Sequence, residues 1–346
     1  MRRDFSAPAG TLHRLTLESA LLKNNLLGDP STRSIDVYVP HGSDGCGLPL
    51  LVDLVGFTGS GLSHSNWRNF GENLPERLDR LIAAGAMPPA VVAMPDCFTK
   101  LGGNQYINSS AMGPWADVLL QEVVPLVESK FGCGGTGRRG VFGKSSGGYG
   151  AIAHALLYPD FWAAAACHSG DMAFELCYLK DMPSLLRGLA RTGGDIRAWL
   201  DGIFEKQKHK GDEMHTLMAL AMCATYDPHP DAPYGVRLPV DPHTCEVIPE
   251  RWRNWQAWDP VNMAGTKAQG LKKLKALYID CGDRDQYDLV YGARRLIRIL
   301  TREGVPHTYE EFPDDHSSVD YRMDRSLPLL AKALAGERQT AERPLA

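Results

Sequence analysis

Hydrophobic residues follow two different patterns along the chain. Near the N-terminus, Ile35, Val37 and Val39 alternate with polar residues, a pattern typical of a strand with one buried face. Leu15 and Leu17 repeat the same spacing earlier in the chain. We therefore expect two neighbouring antiparallel strands at the start of the fold.

Further along, short continuous apolar runs replace the alternation. Continuous runs are typical of strands that helices cover on both faces, and hence of a mostly parallel sheet. Between two of the runs, apolar residues recur at helical spacing from Trp115 to Val127, with Pro114 at the first helical position. The pattern predicts an α/β fold with a mostly parallel central sheet and helices on both faces. The runs lie at residues 50–55, 90–94, 141–142, 162–167 and 276–279.

The alternation of strands and helices lapses between residues 171 and 269. This segment carries helical patterns at residues 185–200 and 214–223, followed by a stretch rich in Pro, His and Asp. It is too apolar for a disordered linker, so we expect a helical insertion that caps the site. The predicted domains are an α/β core and this cap, followed by a polar tail. The predicted core comprises residues 1–170 and 270–336, the cap comprises residues 171–269, and the tail comprises residues 337–346.

The amino-acid composition limits the classes of protein to which the chain can belong. The chain has 346 residues, 44% of them hydrophobic and 23% charged, as in a soluble globular protein. A net charge of -4 and the absence of a long apolar window predict neither a nucleic-acid nor a membrane partner. Eight scattered cysteines without a C-x-x-C pair, and an N-terminus without an apolar stretch, predict a cytoplasmic protein. A homo-oligomer remains open.

The segment Gly143-Lys144-Ser145-Ser146-Gly147 follows a short apolar run and precedes a helical one. It fits G-x-S-x-G, a sharp strand-to-helix turn that raises a serine hydroxyl above the end of a sheet. Ser145 is therefore the candidate nucleophile. A phosphate-binding loop, G-x-x-x-x-G-K-[ST], would need glycine at position 138, where the chain has arginine. A glycine-rich turn without chemistry is the other alternative.

A serine nucleophile needs a base and a carboxylate that orients the base. In a sheet of this kind the order along the chain is Ser, then Asp or Glu, then His, each after a strand. His316 follows the predicted strand 307–312 and is the candidate base. Asp285 follows the run 276–279 and is the preferred acid, with Asp283 as the alternative. These aspartates could instead cap a helix, and His316 could be a surface histidine.

Backbone N–H groups must also stabilise the oxyanion that forms during acyl transfer. The residue after the nucleophile, Ser146, supplies one, and the loop after the run 50–55 supplies the other, for which we favour Phe57. The glycines of that loop run G-x-x-G-x-G and so do not match a dinucleotide-binding loop. Four further residues are candidates for substrate binding, namely Gly56, Lys144, His168 and Trp258.

The chain resembles the esterase D and enterochelin esterase branch of the α/β-hydrolases, which includes S-formylglutathione hydrolases, feruloyl and acetylxylan esterases and mycolyltransferases. The resemblance rests on residues 33–40, 94–96, 106–109 and 143–150. The segment Asp280-Cys281-Gly282 with Asp285 looks like the acid loop of that branch. The resemblance implies ester hydrolysis through an acyl-enzyme, without cofactor or metal.

Two departures limit the transfer of a substrate from this branch. Lys144 occupies a position where many members carry His, Tyr or Glu, and Asp315 precedes His316 where Gly is common. The insertion is also longer than in compact members. We therefore expect a serine hydrolase of a small-molecule ester, with acyl transfer by the same residues as the alternative. A non-catalytic binding protein and a nucleotide-binding protein are more remote alternatives.

Overall fold

The computed structural model describes residues 8–336, and the predicted tail at 337–346 lies outside them. Within this range an eight-stranded sheet has the order β1-β2-β4-β3-β7-β8-β9-β10, and β5 and β6 form a separate hairpin. The strands are β1 Thr11–Glu18, β2 Thr32–Val39, β3 Leu50–Leu54, β4 Val91–Pro95, β5 Asn108–Ser109, β6 Gly113–Pro114, β7 Arg139–Lys144, β8 Ala164–His168, β9 Ala276–Gly282 and β10 Thr308–Phe312.

Only the first strands of the main sheet run antiparallel. Strand β2 pairs antiparallel with β1, where Ile35 faces Leu15, and antiparallel with β4. From β4 through β3, β7, β8 and β9 to β10 every pairing is parallel. Both the predicted antiparallel pair and the predicted parallel sheet are confirmed.

Helices cover both faces of the sheet, which explains the continuous apolar runs. On one face, Leu50 and Val52 of β3 belong to a core that includes Ile152. On the other face, Leu51 packs in a second core with Leu327. Because successive side chains of a strand point to opposite faces, a strand with two covered faces contains no polar alternation.

The helix predicted from Trp115 to Val127 contains a change of register. The segment Trp115–Asp117 is α-helical, Val118–Val123 is a π-helix, and Val124–Phe131 is α-helical again. Pro125 lacks the N–H that an α-helical turn would use, and the π-helix ends beside it. The α-helices are α1 Gly61–Ser65, α2 Leu74–Ala83, α3 Trp115–Asp117, α4 Val124–Phe131, α5 Ser146–Leu157, α6 Phe174–Cys177, α7 Met182–Leu189, α8 Ile196–Phe204, α9 Gly211–Tyr226, α10 Pro249–Gln256, α11 Pro260–Lys267, α12 Leu289–Arg302 and α13 Met323–Ala335.

The segment between β8 and β9 is helical, from α6 to α11. The predicted helical pattern at residues 185–200 divides between α7 and α8, and the pattern at 214–223 lies within α9. Trp255 of this segment is fully buried, with its ring centroid 5.2 Å from that of Tyr226 and 5.9 Å from that of Tyr178. The ring of Tyr226 also lies 5.7 Å from that of Tyr149 in α5, so these aromatic residues join the segment to the core of the sheet. No helix among residues 8–336 has the length and apolar character to cross a membrane.

Candidate active site

Ser145 lies at the turn between β7 and α5, at the carboxyl end of the parallel strands. Its backbone angles are φ 59° and ψ -124°, a conformation that a residue with a side chain adopts only at a cost of about 1–3 kcal/mol. The Ser145 N–H donates to the carbonyl of His168 at 2.9 Å, and the Ser145 carbonyl accepts from Tyr149 at 2.8 Å. Neighbouring secondary structure therefore holds the serine in a strained position.

The glycines on either side of Ser145 are required by close backbone contacts. A Cβ atom at Gly143 would lie 2.3 Å from the carbonyl oxygen of Leu54, and one at Gly147 would lie 1.8 Å from the same oxygen. Real Cβ atoms do not approach other atoms so closely. The turn thus packs directly against β3, which brings the serine beside the loop that follows β3.

Asp285 and His316 form a hydrogen-bonded pair. Asp285 lies in the turn after β9, and its Oδ2 is 2.7 Å from Nδ1 of His316, while its Oδ1 accepts from the N–H of Tyr287 at 2.9 Å. A carboxylate only accepts, so Nδ1 of His316 carries the proton and Nε2 is left as a base. The Tyr287 ring lies edge-on to the imidazole, with ring centroids 4.8 Å apart.

The two other aspartates near this turn have different surroundings. Asp283 is 44% exposed at its side chain and lies beside Arg284. Asp280 lies within β9, and its side chain bonds to His168 and Arg322. Of the three, Asp285 is the aspartate that the structure brings to His316.

Ser145 and His316 line one cavity of about 890 Å³. Among residues 8–336 the Ser145 hydroxyl makes no direct hydrogen bond to the imidazole. A serine hydroxyl turns about a single torsion angle, and hydrogen bonds between catalytic groups commonly shorten only when substrate binds. The arrangement therefore places the nucleophile and the base at one cavity.

The loop after β3 lies against the nucleophile. A Cβ atom at Gly56 would lie 3.4 Å from Cβ of Ser145, and the Phe57 carbonyl accepts from the N–H of Gly103 at 2.7 Å. In the described part of the chain, the N–H groups of Phe57 and Ser146 donate to no protein acceptor. Both amides are therefore free to bind an oxyanion beside Ser145.

Two of the candidate substrate-binding residues lie elsewhere. The ring of His168 is buried, with Nδ1 2.7 Å from Asp280 Oδ1 and Nε2 2.8 Å from Ser326 Oγ of α13. It occupies the opposite face of the sheet from α5 because side chains alternate along a strand. Trp258 lines a separate cavity of about 470 Å³ with Tyr226. Neither residue lines the cavity at Ser145, contrary to expectation.

Gly56 and Lys144 do line the cavity at Ser145, together with residues that the sequence patterns did not single out. Asp171 is one of these: its Oδ2 accepts from the Tyr178 hydroxyl at 2.7 Å and from the Ser146 hydroxyl at 3.3 Å. Burial raises the pKa of the Asp171 carboxyl. Its position shortly after β8 is the signal that could have found it, because polar residues at the carboxyl ends of parallel strands meet at one edge.

The helical segment after β8 supplies part of the cavity wall. These wall residues share a partly apolar character and come from α6, α9 and the turn between α6 and α7. Spacing alone did not identify them, because their side chains reach the cavity only through the packing of one helix on another. They are Cys177, Tyr178, Met214, His215 and Met218.

A comparison with family models matches residues 30–325 to the family described as putative esterase. No curated protein sequence matches the chain significantly. Solved structures match it over nearly its whole length. A ferulic acid esterase is 16% identical with a TM-score of 0.60, and the match covers 94% of this chain and 99% of that one.

Two bacterial S-formylglutathione hydrolases are also similar. The protein from Agrobacterium tumefaciens is 16% identical with a TM-score of 0.55, over 95% of this chain and 97% of its own. The protein from Staphylococcus aureus is 16% identical with a TM-score of 0.54, over 93% of this chain and 99% of its own. At this level of identity the similarity shows the fold, which is that of the α/β-hydrolases.

Proposed function

The chain belongs to the putative esterase family and is a carboxylic ester hydrolase, and from that premise we propose that it acts through an acyl-enzyme formed on Ser145. The observation that carries the proposal is the convergence on one cavity of Ser145, held in a strained strand-to-helix turn, and of His316, oriented by Asp285. Convergence of three distant segments in the order Ser, Asp, His matches the chemistry of a serine hydrolase.

In the first step, Oγ of Ser145 attacks the ester carbonyl while Nε2 of His316 takes its proton. The new bond joins Oγ to the carbonyl carbon, and the carbonyl oxygen becomes an oxyanion. The amides of Phe57 and Ser146, which have no protein acceptor among residues 8–336, bind that oxyanion. Asp285 stabilises the imidazolium without taking its proton.

In the second step, the imidazolium of His316 protonates the departing alcohol, and the acyl group stays on Ser145. Water then attacks the acyl carbon and gives its proton to His316. Nε2 of His316 returns that proton to Oγ of Ser145 as the bond from Oγ to the acyl carbon breaks, and the free acid leaves. Because every proton passes through Nε2 of His316, the serine is restored at the end of each cycle.

The test is hydrolysis of 4-nitrophenyl acetate and butyrate by the wild type and by Ser145→Ala. We expect the variant to lose at least about 10³-fold in kcat with an unchanged circular dichroism spectrum, because the Ser145 hydroxyl makes no hydrogen bond to any of residues 8–336. Ser110→Ala on the surface is the matched control and should keep full activity. Turnover by Ser145→Ala at the wild-type rate would overturn the proposal.

A further inference from the structure

Lys144, the residue before the candidate nucleophile, is an unpaired cation at the cavity. It ends β7, is half-buried and lines the same cavity as Ser145. The two arginines that line this cavity are both ion-paired, Arg68 with Asp320 and Arg77 with Asp324. Within residues 8–336 the ammonium of Lys144 has neither an ion-pair nor a hydrogen-bond partner.

The acidic side chains around Lys144 are already engaged. Asp320 binds Arg68, Asp285 binds His316, and Asp315 accepts from the N–H of Ser317 at 2.7 Å. Their negative charges act on Lys144 from a distance. Burial outweighs them and lowers the pKa of the lysine below its ordinary value.

A partly desolvated ammonium without a partner is an unfavourable arrangement unless a ligand completes it. The same feature favours one kind of ligand. An anionic group that enters the cavity would meet an ammonium that no carboxylate contacts directly among residues 8–336. Arg68 and Arg77 differ from Lys144 in that each already has a carboxylate partner that offsets its charge.

Building on the acyl-enzyme function proposed above, we propose that Lys144 binds a carboxylate of the substrate, so that the enzyme prefers esters that carry a carboxylate close to the scissile bond. Lys144 and Ser145 are consecutive in the chain and line the same cavity, so one bound ester can contact both. A single charge is favoured over a phosphate dianion, because the cavity offers one free lysine ammonium and no free guanidinium for bidentate binding within the described residues.

The carboxylate could belong to the alcohol or to the acyl part of the ester, and two pairs of substrates separate these cases. For the alcohol part, 4-carboxyphenyl acetate is compared with 4-carbamoylphenyl acetate. For the acyl part, 4-nitrophenyl hydrogen adipate is compared with 4-nitrophenyl hexanoate, after subtraction of spontaneous hydrolysis. Each pair differs mainly in the presence of the negative charge.

The experiment measures kcat/KM for all four esters with the wild type, Lys144→Met and Lys144→Arg. We expect Lys144→Met to lose about 10- to 100-fold on the carboxylate ester of at least one pair. The neutral ester of that pair should change by less than about threefold. Lys144→Arg should keep most of the preference, and Lys130→Met, an exposed lysine of α4, should change nothing.

Equal losses on both esters of each pair, or no loss on either carboxylate ester, would overturn the inference. Lys144→Met should fold, because the ammonium that it removes has no hydrogen-bond or ion-pair partner among residues 8–336. Lys144→Gln is a second neutral variant, and it should show the same change in kcat/KM for each ester. The proposed acyl-enzyme is tested separately by Ser145→Ala on the neutral esters. If Ser145→Ala is inactive and Lys144→Met changes kcat/KM by the same factor for all four esters, the acyl-enzyme proposal stands. Only the carboxylate inference then fails.

Discussion

Oδ2 of Asp285 lies 2.7 Å from Nδ1 of His316, although 31 residues separate the two in the chain. Their side chains are 0% and 10% exposed. Water therefore cannot readily replace the carboxylate as the partner of Nδ1. The pair fixes which ring nitrogen is protonated, and this requirement distinguishes Asp285 from its neighbour Asp283.

Asp285→Asn should lower kcat for 4-nitrophenyl butyrate by about 10³- to 10⁴-fold, because an amide cannot hold the imidazole in the required tautomer and charge state. Asp283→Asn is the matched control. Its side chain is 44% exposed, and the change should alter kcat by less than about threefold. Steady-state kinetics on both variants decides the assignment, and the reverse ranking would transfer the acid role to Asp283.

Gly147→Ala should destabilise the protein by more than about 3 kcal/mol, because the new Cβ would lie 1.8 Å from the carbonyl oxygen of Leu54. Gly265→Ala in α11 is the matched helix control, since apart from the adjacent backbone of α11 no atom of residues 8–336 lies within 4 Å of its Cβ position. It should gain about 0.5–1 kcal/mol from helix propensity. Urea unfolding measures the unfolding free energy of both variants. Equal stabilities of the two variants would contradict the packing of the turn on β3.

His154 should make the fold less stable in acid. It is buried, with Nε2 donating to the carbonyl of Tyr106 at 2.7 Å and Nδ1 accepting from Nε1 of Trp162 at 3.1 Å. Burial lowers its pKa from 6.5 to about 4. The unfolded chain therefore binds the proton more readily than the folded one. The stability that neutral His154 contributes is present above pH 6.5 and is lost as the pH falls toward 4.

His154→Gln removes this titration. Between pH 7 and pH 5 the wild type should lose about 2 kcal/mol more of its unfolding free energy than the variant does. Urea unfolding at both pH values gives the loss of unfolding free energy for each protein. The other titrating groups are present in both proteins, so their contributions cancel when the two losses are compared. Equal losses in the two proteins would show that His154 keeps an ordinary affinity for protons in the fold.

Sequence reasoning located the main elements because their causes are local. The alternation at residues 35–39 reflects a strand with one covered face, and a continuous run such as residues 50–55 reflects a strand with two. Both types of strand are confirmed. The G-x-S-x-G spacing around Ser145 is a steric requirement of the turn, which the contacts of Gly143 and Gly147 make explicit. Such steric constraints can be recognised from the amino-acid sequence alone.

Other features depend on packing that the sequence does not display. His168 ends a strand as expected, but the face to which its ring points depends on the pairing with α13, where Ser326 binds it. Trp258 belongs to a different cavity for a similar reason. The sequence pattern does not predict Asp171 at the cavity, because its side chain is held there by Tyr178, seven residues away in a turn between two short helices.

The most direct test of the central claim is to trap the acyl group. Wild-type enzyme is mixed with 4-nitrophenyl butyrate, quenched in acid within the first turnover and digested, and the peptides are examined by mass spectrometry. We expect a butyryl group on the peptide that contains Ser145, located at that serine by fragmentation and absent from Ser145→Ala. A butyryl group on another residue during productive turnover, with Ser145 unmodified, would contradict it.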